Sequence, residues 1–178
     1  SNVTRELYEN ALGRDENHAP YAINHIGALI HSKRYLDANL FADKYVENHY
    51  DRLDPRSQTI MSALRVVTNT GTGDHRMRDF YLSELSKTDN LEPSLILTLS
   101  KQLLKMKQGH VVRELLEEAH RRFPFHQMIL THLIEIELDS GASSTVGDHL
   151  NNLLKMKRPE RRLLEKAYRH LASDYYIF

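Results

Sequence analysis

Eleven histidines in 178 residues raise the question of metal binding first. A zinc site on a helix needs imidazoles at i and i+4, or a His-Glu-x-x-His arrangement, so that two ring nitrogens converge on one ion. His25 and His31 stand six residues apart, as do His120 and His126, and His126 and His132. That step puts the two rings on different faces of a straight helix. The histidines are therefore expected in structural or surface roles, with no metal and no other cofactor. Nucleophilic catalysis lacks its usual parts: there is no cysteine and no Gly-x-Ser-x-Gly elbow. Glu117 with Glu118 and Glu135 with Glu137 are expected as ordinary helix-surface carboxylates, because close sequence neighbours point in different directions on a helix. Gly71-Thr72-Gly73 resembles half of a phosphate-binding loop. No strand precedes it and no Gly-Lys-Ser/Thr follows, so it is expected to be a flexible turn. An enzyme is not expected.

The densest charge is the run Lys155, Lys157, Arg158, Arg161, Arg162, Lys166 and Arg169. Backbone-phosphate binding needs several such cations on one surface. Here Glu160 and Glu165 interrupt them and no interleaved aromatics offer stacking platforms, so a solvated helix face is expected and nucleic acid is not. Globally Lys+Arg and Asp+Glu each number 24, a formal net charge of zero, so any electrostatic recognition is local. With 40% apolar and 27% charged residues the composition is that of a folded protein. The absence of cysteine permits reducing and oxidising compartments alike, so localisation stays open. No apolar run approaches the roughly 18 residues of a spanning helix and no signal peptide is visible, so membrane insertion within these residues is not expected. Ser1-Asn2 resembles a residue pair left by cloning.

The elements that must position these residues are marked by proline. Pro20, Pro55, Pro93, Pro124 and Pro159 recur at steps of 35, 38, 31 and 35 residues. Proline is tolerated in the first turn of a helix and expelled from its interior, so each marks a helix start. Between them apolar residues recur every three or four positions, as in Ile23, Ile26 and Ile30, or Leu95, Leu99, Leu103 and Met106. The spacing predicts helices over 20–32, 35–49, 55–69, 74–86, 93–107, 110–122, 125–140, 145–157 and 159–173. Asp54 and Asp74 are placed as N-caps. Connections this short fold consecutive helices back on one another. The segment Leu103-Leu104-Lys105-Met106-Lys107 recurs identically at Leu153-Leu154-Lys155-Met156-Lys157, the first on a leading helix and the second on a trailing one.

Tyr8-Glu9-Asn10-Ala11-Leu12-Gly13-Arg14-Asp15 resembles the closing half of a tetratricopeptide repeat. Ile26-Gly27 with Ile30 and Ala38 is similar to that family's small-residue pattern, and Leu99-Ser100, Leu103, Leu116, Ala119 and Pro124 stand at its spacing. The resemblance implies an all-α, right-handed α-α superhelix of about four helical hairpins plus terminal helices. Its units are 3–17 (partial), 18–52, 54–88, 92–123 and 124–157, with a capping helix over 159–173, in one repeat domain over 1–178. Because residues 3–13 read as the second helix of a repeat whose first is absent, the chain is expected to be a fragment of a longer array.

In that architecture the leading helices line the concave side. Their non-core positions are Tyr21, Asn24 and His31; Thr59, Ser62 and Asn69; Ser94, Thr98, Lys101 and Lys105; Gln127, Thr131 and Glu135; and Arg162, Lys166 and Arg169. Such a row can hydrogen-bond an extended peptide backbone, while its cations attract acidic groups. The expected function is a protein–protein interaction scaffold that binds a peptide or partner protein there. The alternative is a regulatory or sensor module taking a small ligand or signalling peptide. Asn24 has no lysine partners for the carboxylate clamp of chaperone-binding members. Tyr175-Tyr176-Ile177-Phe178 is expected to fold back near Tyr168 and Leu171 or to mediate association between copies.

Overall fold

Where proline and aspartate punctuate the sequence, helices begin. The computed structural model describes residues 18–141, 143–156 and 159–176, the last few and Ser143-Ser144 by backbone only. The described residues form helices and connecting loops, with no strand among them. The helices are α1 (Ala19–His31), α2 (Tyr35–His49), α3 (Pro55–Thr72), α4 (His75–Lys87), α5 (Pro93–Lys105), α6 (Gly109–Arg122), α7 (Gln127–Ser140), α8 (Ser143–Met156) and α9 (Arg161–Tyr176), with a 3-10 turn at Tyr50–Arg52. Asp54 accepts from the Ser57 amide at 2.9 Å and Asp74 from the Met77 amide at 3.1 Å, so both cap as their positions predict. Pro20, Pro55 and Pro93 lie in first turns; Pro124 and Pro159 fall just ahead of α7 and α9. The partial unit at 3–17 lies outside the described residues.

The leading helices α1, α3, α5 and α7 end alike. Each is followed by a left-handed residue, at positions 33, 73, 107 and 141. The Lys33 amide donates to the Ile30 carbonyl at 2.9 Å and the Arg34 amide to that of Leu29 at 2.8 Å. Gly73 and Asp74 repeat the pattern onto Thr70 and Asn69, and Lys107 and Gln108 onto Leu104 and Leu103. These paired hydrogen bonds satisfy carbonyls that the helix end leaves unpaired. Glycine adopts the left-handed conformation without strain, whereas the Lys33 and Lys107 side chains oppose it. Lys33→Gly and Lys107→Gly are each expected to raise stability by about 0.5–1 kcal/mol in chemical denaturation, while Lys107→Ala yields no gain.

Contacts divide the chain into two compact units, Ser1–Leu95 and Ile96–Phe178. In the first, α1 packs on α2 and on α3, α2 on α3, and α3 on α4. Ala38 and Ala42, fully buried one turn apart, give α2 a flat face for close approach. α3 runs three residues past the predicted end at Asn69, through Gly71 to Thr72. A Cβ at Gly71 would lie 2.1 Å from the Tyr35 ring, so the glycine is what lets α2's first residue press on the end of α3. The Gly-Thr-Gly run is thus a helix terminus closed by Gly73, in place of the flexible turn expected.

In the second unit α7 packs on α6, α8 and α9, and α8 on α9. Leu130, Ile134 and Leu138 of α7 meet Val146, Leu150 and Leu153 of α8 and Leu163 and Ala167 of α9 in one buried cluster. Leu171 joins its edge, whereas Tyr168 is exposed. The tail contacts expected of Tyr175 to Phe178 lie outside the described side chains. The duplicated pentapeptide occupies equivalent registers on α5 and α8: Leu103 and Leu153 are fully buried, while Leu104 and Leu154 are exposed.

Candidate functional site

On α1, Tyr21, Asn24 and His31 are solvent-facing, as the polar row requires. On α3 the row leaves the surface. Thr59 is buried, its hydroxyl donating to the Pro55 carbonyl at 2.9 Å; Asn69 is buried too, donating to the Arg65 carbonyl at 2.8 Å and accepting from Asn39 at 3.0 Å. Ser62 is half-buried, and no residue between Ser57 and Thr70 is exposed. The reason is that α1, α2 and α4 all pack on α3, which leaves it no free face. Thr59 and Asn69 therefore serve internal hydrogen bonds and are corrected as ligand contacts.

From α5 onward most of the row is exposed. Ser94, Thr98, Lys101 and Lys105 are exposed on α5. On α7, Gln127 and Thr131 are half-buried and Glu135 is exposed, with His132 3.5 Å from its carboxylate. Arg162, Lys166 and Arg169 are exposed on α9. Lys166 forms an ion pair with Asp139. Asp139 continues the Thr131–Glu135 stripe of α7, so this pair brings the polar stripes of α7 and α9 onto one surface.

The opposite side of α7 carries a charge into the core. Glu137, expected on the helix surface, is completely buried. Thr145 donates its hydroxyl to Oε1 at 2.9 Å, and His149 Nδ1 lies 2.9 Å from Oε2. The hydrogen bond to Glu137 raises the His149 pKa above the ordinary histidine value, against burial, which lowers it. His120 meets the His149 ring edge-on at 5.3 Å, and its Nδ1 is buried with no hydrogen-bond partner. Burial first and His149 second push the His120 pKa down. A carboxylate–imidazole pair of this kind holds a proton. Thr145, however, donates to the carboxylate instead of to an imidazole, so the group lacks the nucleophile–base contact of acyl-transfer sites.

The remaining histidines named from their spacing have local tasks. His25 packs edge-on against Phe41 at 4.6 Å, and His126 caps α7 by accepting from the Ile129 amide at 3.3 Å. In the first unit His18 Nδ1 and the Tyr45 hydroxyl are 2.7 Å apart, with the His49 ring 4.4 Å from that of His18. Burial pushes Tyr45 up to about 12 and, with His18 and Arg52, holds His49 below its ordinary value. Arg65, also buried, pairs with Asp43 and lies 5.0 Å over the Tyr81 ring. Among the described residues no group of three or more histidines and carboxylates is arranged to hold a metal ion. None of the described helices is long and apolar enough to cross a membrane. In the basic run Arg161 pairs with Glu165 at 2.8 Å, and Lys157 and Arg158 lie outside the described residues.

Glu137 carried one readable signal. It continues the apolar stripe Leu130, Ile134 at helical spacing, so the periodicity that buries those residues buries it as well. Comparison of the chain with family models, curated proteins and solved structures finds no match.

Proposed function

We propose that the chain is built of tetratricopeptide-like hairpins, of the kind that form a right-handed superhelix, and that it binds an extended peptide or partner protein on its leading helices. Two features support the repeat reading. Left-handed termini recur at positions 33, 73, 107 and 141, always after a leading helix. Leading helix also packs on leading helix within each unit, α1 on α3 and α7 on α9. A hairpin that stacks in this way buries its apolar face only against its neighbour.

The observation that carries the binding surface is the Lys166–Asp139 pair, which joins the polar stripes of α7 and α9. Thr131, Gln127 and Glu135 offer donors and acceptors at one-turn intervals, suited to an extended backbone. Arg162 and Arg169, with Lys101 and Lys105 of α5, add cations for acidic side chains or a carboxylate terminus.

An array of immobilised peptides of graded acidic content tests this reading. The wild-type chain is expected to be retained by a subset of acidic peptides, and Lys101→Glu combined with Lys105→Glu and Arg162→Glu to lower that affinity roughly tenfold or more. Folding should change by less than about 1 kcal/mol, since exposed charges contribute little to it. Binding that survives these changes but is lost with Glu114→Lys on the trailing helix α6 would place recognition on the other face.

A further inference from the structure

Among the described residues Glu137 is the one carboxylate inside the core, and three helices supply its surroundings: His120 from α6, Glu137 itself from α7, and Thr145 with His149 from α8. A buried carboxylate is tolerated only with compensating hydrogen bonds or charge. Thr145 compensates at every pH. His149 compensates fully only while it carries a proton.

We propose that Glu137, His149 and His120 form a proton-operated clasp, in which the proton shared by Glu137 and His149 locks α8 onto α7 and its loss eases their separation. The charges acting on His149 are Glu137, Glu117 of α6 and its own neighbour Asp148; those acting on His120 are His149 and Glu137. Glu117 is itself paired with Arg113 at 3.1 Å. From α9, which packs on α7 and α8, come Lys166, paired with Asp139, and His170, whose Nε2 is buried. His120 sits against His149 with its Nδ1 buried and no acceptor beside it, so only one of the two rings takes the charge.

The sign of the response follows from the opened state, where both rings return toward the ordinary value of about 6.5. His149 is raised in the closed state. The closed state therefore binds the extra proton between that ordinary value and the raised one, and its stability falls as pH rises through this window, then levels. His120 is lowered in the closed state, so stability also falls as pH drops below the ordinary value toward the lowered one. The clasp is tightest near the ordinary histidine value.

Hydrogen-exchange protection of α7 and α8 amides, measured on the whole chain from about pH 5 to about pH 9, tests the clasp. Protection is expected to fall by up to about tenfold per pH unit above roughly 6.5 before it levels, and Glu137→Gln is expected to abolish that fall. Should that variant not fold, the ring-proton titrations of the wild type decide by NMR: His149 is expected to titrate above the ordinary histidine value and His120 below it. Protection independent of pH in the wild type, or His149 titrating at or below the ordinary value, overturns the proposal.

Discussion

Leu153→Ala is expected to destabilise the chain by roughly 2–5 kcal/mol in chemical denaturation, while Leu154→Ala, one residue on, costs about 1 kcal/mol or less. The contrast comes from register. Leu153 is fully enclosed among Leu130, Ile134 and Leu163, and truncating it leaves a cavity that rigid neighbouring helices fill poorly. Leu154 points to solvent for much of its surface. The duplicated pentapeptide supplies an internal repetition, because Leu103 and Leu104 on α5 stand in the same relation. Leu103→Ala and Leu104→Ala should reproduce the pattern. Similar losses for both members of either pair would show that the helix is rotated from the described register.

Glu137→Ala is expected to cost about 3 kcal/mol at neutral pH. The substitution removes the acceptor of both Thr145 and His149 and opens a void in a fully buried position. Glu137→Met, which fills that void, should be milder. Replacing a buried ion pair's carboxylate by an apolar group of similar volume is often close to neutral, provided the surviving partners reach water. His149 and Thr145 are both only partly buried and can do so. Thermal denaturation of the three proteins checks the order wild type, Met, Ala. An alanine variant as stable as the wild type would mean that Glu137 is solvated in solution.

The helices were legible because their determinants are local. Pro55 after Asp54, Asp74 after Gly73, and apolar residues at three- and four-residue steps fix where α3 and α4 start without reference to any other part of the chain. The polar row was legible in part on α7 and α9 for the same reason: Glu135, Arg162, Lys166 and Arg169 are exposed, while Thr131, seven residues before Leu138 and on the same face, is half-buried. It failed on α3. Burial there depends on how many neighbours surround a helix: three helices enclose α3, where Thr68 and Asn69 share Asn39 of α2 as a hydrogen-bond partner and Thr59 bonds the Pro55 carbonyl. The extension of α3 through Gly71 was hidden likewise, since it rests on Tyr35, a residue of another helix. The Glu137 cluster joins positions 120, 137, 145 and 149 from three helices, and no spacing rule within one helix brings them together.

Recognition on the leading helices is tested most directly by NMR. The chain is titrated with the acidic peptide that the array retains best, and amide shifts are followed residue by residue. The largest changes are expected on Thr131, Glu135, Arg162, Lys166 and Arg169, with Lys101 and Lys105 shifting in parallel. Changes confined to the trailing helices α6 and α8, or an array that retains no peptide at all, would contradict recognition on the leading helices.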